Sequence, residues 1–301
     1  MSILTLRMDA WSDARQLADH LGLWVFRGQK DASWGLSTSI QRAGQQSGSS
    51  NVLLSRIEEQ MIHEFQRRAH HFLSDPPAQA HRLEWLTIIQ HYGGPTRLLD
   101  FTRSFYVAAF FAVETASEEC AVWCVNTYAL HRQVEKALGK DITTNLPHWE
   151  VSHRLASLAE PLIGNTSVDP LVLDVEPFRL HQRLAVQQGL FLMPVSVDLP
   201  FMQSLAETFG LQAMDFEKSE VKDYDPQIHR KNALGGALVI KLLLPPKTHH
   251  DALADLWNMN VTAASLFPGL DGFARSLHYY CRIDNTWWIK TNELLSSKGN
   301  A

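Results

Sequence analysis

The spacing of apolar and polar residues along the chain predicts a mixture of amphipathic helices and short strands. Apolar positions recur with a helical period in four segments. These segments are residues 10–22, 52–72, 83–92 and 250–258. Ser12 is the expected N-cap of the first helix and Gly22 its expected stop. Residues 105–116 are apolar on nearly every side, which predicts a buried helix.

Short runs rich in β-branched and aromatic residues predict strands. They lie at residues 24–28, 121–125, 171–175, 189–194 and 237–244. The Gly/Ser/Gln-rich residues 44–50 predict a flexible loop. Because these elements do not alternate in a regular βαβ rhythm, the pattern favours an α+β fold. We find no internal repeat and no linker, so we predict one domain over residues 1–301. Its core is expected at about residues 20–282, with a helical or irregular insertion at about residues 127–170.

Composition narrows the class of protein. Hydrophobic residues make up 45% and charged residues 20%, as in ordinary globular proteins, and the net charge of −5 gives no global attraction to nucleic acid or membrane. Local clusters of basic residues remain compatible with that total. Three cysteines are too few, and their number is odd, so they do not suit a disulfide framework; this favours a reducing compartment. Without a signal-peptide pattern or an apolar run long enough to cross a membrane, we expect a cytoplasmic protein with no membrane partner.

The histidine and cysteine spacings predict no metal site. Trp287-Trp288 is expected in the core or at an interface.

Polar chemistry is concentrated just before the predicted buried helix. His91, Tyr92, Arg97, Asp100 and Thr102 surround the paired glycines at residues 93–94. So many polar side chains in one short segment indicate a loop that presents functional groups from a rigid scaffold. The alternative is structural, with Arg97 and Asp100 forming an ion pair.

Two further segments carry candidate chemistry. Arg27 lies in an aromatic strand and is followed by Gly28, so its planar guanidinium could meet a phosphate or carboxylate at close range. The alternative is a half-buried Arg27 paired with Asp100. In the second segment, a basic stretch leads into Gln187 and Gln188 before a strand. Because neighbouring strand positions face opposite ways, at most one of these glutamines can point into a given cleft.

Together these motifs resemble the FRG domain family over roughly residues 24–280. The matching elements are Phe26-Arg27-Gly28-Gln29, Trp34 with Ser39 and Arg42, residues 94–102, residues 108–112, residues 188–191 and residues 266–272. Their order is also similar to the Arg–Ser–Glu layout of ADP-ribosyltransferases. That resemblance implies a mixed or antiparallel split sheet with flanking helices around a cleft that takes NAD as co-substrate.

The same resemblance implies roles for individual residues. Arg27 would hold a phosphate of NAD, Thr102 would support the nicotinamide pocket, and Gln188 would fall near the catalytic glutamate of that family. The implied catalytic residues are Arg27, Thr102 and Gln188. The implied cofactor-binding residues are Arg27, Gly28, Gln29, His91, Tyr92, Arg97 and Asp100. The chain departs from the family because it lacks a Glu-x-Glu motif before the late strand, which leaves Asp100, Glu114 and Glu176 as other acidic candidates.

The leading hypothesis is therefore an NAD-dependent ADP-ribosyltransferase-like effector or toxin. It would modify a nucleic acid or protein acceptor in a toxin–antitoxin or phage-defence setting, with a neutralising partner protein. A non-catalytic module that binds a nucleotide or phosphorylated ligand in the same cleft is the alternative. A third hypothesis is a metal-independent RNase-like toxin that uses His91 as acid/base and Arg97 as phosphate ligand.

Overall fold

The computed structural model describes residues 2–47, 53–164, 169–226, 234 and 236–282. Within them the strands form one mixed sheet of eight, in the order β5-β6-β3-β2-β4-β8-β1-β7. The strands are β1 Ser2–Arg7, β2 Trp24–Gln29, β3 Leu99–Thr102, β4 Cys120–Asn126, β5 Val172–Val175, β6 Gly189–Pro194, β7 Val221–Asp223 and β8 Ala237–Leu244.

Helices flank both faces of this sheet. They are α1 Trp11–Ala18, α2 Ser39–Ser47, α3 Leu54–Ala69, α4 Arg82–His91, α5 Phe105–Val113, α6 Thr127–Leu138, α7 His148–Ala159, α8 Gln182–Val186, α9 Phe201–Thr208, α10 Met214–Glu217, α11 His249–Asn258, α12 Ala263–Leu266, α13 Leu270–Ser276 and α14 Tyr279–Arg282. Short 3-10 turns lie at Glu160–Leu162 and Pro246–Thr248. None of the helices in the described part of the chain has the length and apolar character needed to cross a membrane.

The sheet is antiparallel through its centre and parallel at one end, where β1 lies between β8 and β7. Strands β2 and β4 share six register pairs, but β2 meets β3 only at Phe26↔Thr102. Strand β3 in turn pairs along its length with β6. The two halves of the sheet are therefore joined at a single register pair, and the strands separate beyond Phe26.

Alternate side chains of β2 and β4 pack into two hydrophobic cores, one on each face of the sheet. Phe26, Val122 and Cys124 face a core that contains α1, α5 and α11. Val25, Trp123 and Val125 face the opposite core, together with residues of α6 and α9. A third cluster lies between α3, α4, α7 and the β5–β6 pair. Because helices cover both faces, every residue of β4 up to Val125 is buried, which explains the continuous apolar run in its sequence.

Helix α5 packs directly against β2. A Cβ atom at Gly28 would lie 1.9 Å from the Ala108 carbonyl oxygen and 2.6 Å from the Ala112 nitrogen. Alanines at residues 108, 109 and 112 are fully buried in this contact. Only glycine at residue 28 allows the strand and helix backbones to approach so closely.

The α+β class is confirmed by the mixed sheet and its flanking helices. Several local expectations were wrong. The first helix is capped by Ala10 instead of Ser12 and ends at Ala18, before Gly22. Residues 44–47 belong to α2 instead of a loop, and the remainder of that predicted loop lies outside the described residues. Trp287-Trp288 also lies outside them.

Candidate functional site

A cleft of about 690 Å³ opens where β2 and β3 separate. Its walls come from these strands, the end of α4, the α8–β6 turn and the segment that leads into α2. The polar residues lining it include Arg27, Gln29, Lys30, Arg42, Gln90, His91, Asp100, Thr102, Glu114, His181, Arg183, Gln187 and Arg275. Its location is explained by the short β2–β3 ladder, because strands that stop pairing leave polar backbone and space between them.

Arg27 lies at the centre of this cleft and spans the gap between the separating strands. Its Nη1 donates a 2.7 Å hydrogen bond to the backbone carbonyl of Asp100 and lies 3.7 Å from Asp100 Oδ2. Its Nε is buried and has no hydrogen-bond partner among the described residues. Burial lowers the pKa of Arg27, and Arg42 adds to that shift while Asp100 opposes it. The guanidinium therefore lines the cleft and keeps one buried donor without a partner among the described residues.

Asp100 presents the carboxylate that accompanies this guanidinium. Its side chain is 59% exposed, and Oδ2 accepts a 3.0 Å hydrogen bond from Gln90 Nε2. The alternative in which Arg27 pairs with Asp100 is thus confirmed. The two residues form an ion pair at the cleft surface, where water and ligands can reach the carboxylate.

Two histidine rings lie beside this ion pair. The ring centroids of His91 and His181 are 4.2 Å apart. His181 Nδ1 accepts the Leu184 N–H at 3.1 Å and so caps α8. Burial, His91 and Arg183 lower the pKa of His181 to about 4, and burial with Arg183 lowers the pKa of His91. Both shifts favour the neutral imidazole.

Residues 22–120 match the model of the FRG domain. This FRG segment carries Arg27, His91, Asp100 and Thr102 of the cleft. The resemblance expected over residues 24–280 is thus shown for the first part of that range. Residues 188–191 and 266–272 lie beyond the match. No curated protein and no solved structure matches the chain.

Arg97 of the FRG segment does not reach the cleft. Its side chain is fully buried, with Nε donating to Glu58 Oε2 at 2.7 Å and Nη1 donating to the Val195 carbonyl at 2.8 Å. The prediction that Arg97 contacts a ligand was therefore wrong, as was the alternative of an Arg97–Asp100 pair. Arg97 joins α3 to the end of β6 behind the cleft wall.

Tyr92 lies outside the cleft as well. Consecutive residues on a helix diverge by about 100°, so His91 and Tyr92 at the end of α4 cannot both face it. Tyr92 is 68% exposed and faces an apolar groove between α3 and α4. The prediction of a nucleotide contact is wrong for Tyr92, whereas His91 does line the cleft.

Thr102 lines the cleft, but its hydroxyl is already engaged. Oγ1 donates to the Gln187 carbonyl at 2.6 Å and accepts the Ser104 N–H at 3.0 Å. Thr102 therefore links β3 to the α8–β6 turn and accepts a hydrogen bond from Ser104, the N-cap of α5. Its effect on a bound ligand would come through the shape of the cleft wall.

Gln188 is exposed and does not line the cleft. Its φ of 49° turns the chain sharply between α8 and β6. Gln187 lines the cleft instead, and its Nε2 donates to the Leu266 carbonyl at 3.0 Å. The expectation that only one glutamine faces the cleft is confirmed, but Gln188 was the wrong choice as the catalytic position.

Gly28 and Gln29 of the FRG segment shape the cleft wall. Gly28 is required by the approach of α5 described above, which replaces our expectation of a close ligand approach. Gln29 is buried and donates to the Gly35 carbonyl while accepting from Trp123 Nε1 at 2.7 Å. Its amide holds the loop after β2 in place.

The acidic candidates separate clearly. Glu114 lines the cleft and is paired with Arg275, whose Nε lies 2.6 Å from Oε1. Glu176 is bound to Arg103 at 2.5 Å away from the cleft lining. Arg275 and Arg183 had not been predicted as site residues, and the lone Arg275 in α13 gives no local signal because only the tertiary fold carries it there. In the described chain, no three His, Cys, Asp or Glu side chains come together in a group that could hold a metal ion.

Proposed function

We propose that the cleft binds NAD and transfers its ADP-ribosyl group to a macromolecule. One observation carries the proposal: Arg27, whose buried Nε has no partner among the described residues, lines a large cleft beside the exposed carboxylate of Asp100. A guanidinium donor and a carboxylate side by side suit a ligand that is anionic at one point and develops positive charge at another.

The pyrophosphate of NAD fits the cationic side of the cleft. A buried donor without a partner costs about 1–3 kcal/mol, and a phosphate oxygen that accepts from Arg27 Nε would remove that penalty. Arg183 also lines the cleft, and no carboxylate of the described residues lies within 4.0 Å of it. Charged guanidinium donors are well matched to phosphate oxygens. We assign Arg27 and Arg183 to the two phosphates.

Asp100 takes the role that we had expected near Gln188. When the bond between ribose C1′ and the nicotinamide nitrogen breaks, its electron pair leaves with nicotinamide and C1′ gains oxocarbenium character. A carboxylate held near C1′ stabilises that positive charge. The acceptor nucleophile then bonds to C1′ and releases its proton. Gln90 orients Asp100 for this role through its 3.0 Å hydrogen bond.

Nicotinamide release from NAD by the full chain tests the proposal. Asp100→Asn should lower kcat on the order of a hundredfold, as expected for loss of one group that stabilises the transition state, with a smaller change in KM. Arg27→Ala should raise KM for NAD. Arg67→Ala, a change of an exposed arginine on α3, should alter neither.

Three results would contradict parts of this proposal. A wild-type protein that binds NAD in calorimetry without releasing nicotinamide would be a non-catalytic binding module. Absence of NAD binding would refute the proposal altogether. Full turnover by Asp100→Asn would show that another group supplies the carboxylate.

The paired histidines favour a second candidate, metal-independent RNA cleavage. A neutral His91 can accept the proton of a ribose 2′-hydroxyl as that oxygen attacks phosphorus and the 5′-oxygen leaves. Arg183 would replace the buried Arg97 as phosphate ligand. This function predicts RNA cleavage in EDTA without NAD, lost in His91→Ala.

A further inference from the structure

We propose that one rim of the cleft binds single-stranded nucleic acid, which is the acceptor class of the transfer reaction. The rim consists of Lys30, Trp34 and Arg42 and is called the acceptor rim below. The assignment as acceptor rests on the proposed function, whereas binding at the rim can be measured without NAD.

The acceptor rim combines an exposed aromatic ring with a cation. Trp34 lines the cleft, is 46% exposed, and has Lys30 Nζ at 5.8 Å from its ring centroid. The loop that holds it is braced, because the Trp34 N–H donates to the Asp31 carbonyl and Gln29 Nε2 donates to the Gly35 carbonyl. This large apolar ring is only partly buried, so its exposed part is available to stack on a base.

The cations of the acceptor rim form no salt bridge among the described residues, although Lys30 interacts electrostatically with the neighbouring Asp31. Neither Lys30 nor Arg42 has a carboxylate within 4.0 Å among the described residues. Arg42 Nη1 donates to the Ser37 carbonyl, which fixes the guanidinium at the mouth of the cleft. The closest acid in sequence, Asp31, accepts two hydrogen bonds from Ser33.

Two further arginines, Arg183 and Arg275, line the same cleft. The guanidiniums of Arg183 and Arg275 each lie 4.4 Å from the Phe267 ring centroid. The charged residues lining the cleft are Arg27, Lys30, Arg42, Arg183, Arg275, Asp100 and Glu114. This lining is cationic although the whole chain carries −5. A concave cationic surface on an acidic protein attracts a polyanion locally.

The aromatic ring distinguishes the classes of acceptor. An acidic peptide would use Lys30 and Arg42 but would gain little from Trp34. A single-stranded nucleic acid uses both, because its phosphates meet the cations and its unpaired bases stack on the tryptophan. In a duplex the bases already stack on each other, so their faces are not free. The combination therefore favours single strands over duplexes and over protein.

Fluorescence anisotropy with the full chain tests binding. The probes are labelled oligouridine and oligothymidine of about 12 nucleotides, within the usual site sizes of such proteins, and a duplex of equal length. Trp34→Ala should weaken binding about tenfold, the effect of losing one stacked base. Arg42→Ala should reduce the slope of log K against log salt by about 0.7. Trp149→Ala, a change of a 69% exposed tryptophan on α7, is the matched control and should bind as wild type does.

The outcomes separate this inference from the proposed function. Equal binding by Trp34→Ala and Trp149→Ala, or equal binding of the duplex, would overturn the inference. So would transfer of label from NAD to protein alone in a cell lysate. Binding through Trp34 with no nicotinamide release would instead overturn the proposed function and leave the acceptor rim as a nucleic-acid site. Stronger transfer to oligouridine or to oligothymidine identifies RNA or DNA as the acceptor.

Discussion

At the scale of single residues, two arginines of the FRG segment have opposite roles. Arg27 spans the gap between β2 and β3, lines the cleft, and keeps its buried Nε without a partner among the described residues. Arg97 is completely enclosed and bound to the equally buried Glu58. The difference is one of surroundings, because a guanidinium that faces space can meet a ligand and one that is enclosed can only brace the fold.

The enclosed pair leads to a stability prediction. Arg97→Ala should lower the free energy of unfolding by about 3–5 kcal/mol, because it leaves the charge of Glu58 buried without a partner. Urea unfolding followed by tryptophan fluorescence measures this loss. Arg67→Ala breaks the exposed pair with Glu64 and should cost at most about 1 kcal/mol. Equal losses in the two variants would show that Arg97 is not the brace described here.

At the scale of elements, the contact between β2 and α5 positions the cleft. Helix α5 begins at the Ser104 cap, whose side chain accepts from the Val107 N–H, and then lies against Gly28. Glu114 follows at the end of the same helix and lines the cleft. The distance between β2 and α5 therefore sets the separation of Arg27 and Glu114 in the cleft wall.

Gly28→Ala tests this contact. The added methyl would meet helix backbone, which cannot rotate away as a side chain can, so we expect a loss of at least about 2 kcal/mol in the free energy of unfolding. Gly22→Ala is the matched control, because a Cβ there has nothing within 4 Å, and its stability should stay within about 0.5 kcal/mol of wild type. Thermal and urea unfolding report both values. A fully stable Gly28→Ala protein would mean that α5 can move away from β2 at little cost.

At the scale of the whole molecule, the FRG segment supplies the centre of a larger sheet. It contains β2 and β3 but only Cys120 of β4, so the rest of β4, together with β6 and β8, lies beyond residue 120. Strand β1, near the start of the chain, is inserted between β8 and β7. The cleft likewise takes Arg183, Gln187 and Arg275 from outside the FRG segment.

A fragment of residues 22–120 should therefore fail to fold alone. Without residues 121–126 of β4 and without β6, it would expose the unpaired edges of β2 and β3 and the apolar faces of these strands to water. We expect no cooperative thermal transition and strong binding of a hydrophobic dye, in contrast to the full chain. A sharp unfolding transition of the fragment would refute the single-domain prediction for residues 1–301.

Local pattern by itself determined several of the longer helices and strands of this protein. The helices near residues 52–72, 83–92 and 105–116 and the strands near residues 24–28, 121–125 and 189–194 were predicted because periodicity and side-chain type act over a few neighbouring residues. Strand β3 was missed, because the polar residues around it favoured a loop. Arg27, His91 and Asp100, which the sequence placed together in the candidate site, line one cleft in the structure. Strand β1 was missed, since its parallel partners lie more than 200 residues away and leave no local mark.

Only the tertiary structure decided which polar residues face the cleft. The sequence placed Arg97, Tyr92 and Gln188 in the site, but the direction of a side chain depends on the packing of its element against distant ones. Arg97 is buried against Glu58 and does not reach the cleft. Tyr92, at the end of α4, lies on a side that faces away from the cleft, and the turn before β6 places Gln187, not Gln188, in its lining. Local sequence thus determines which chemistry is available, whereas long-range packing determines which of it a ligand can reach.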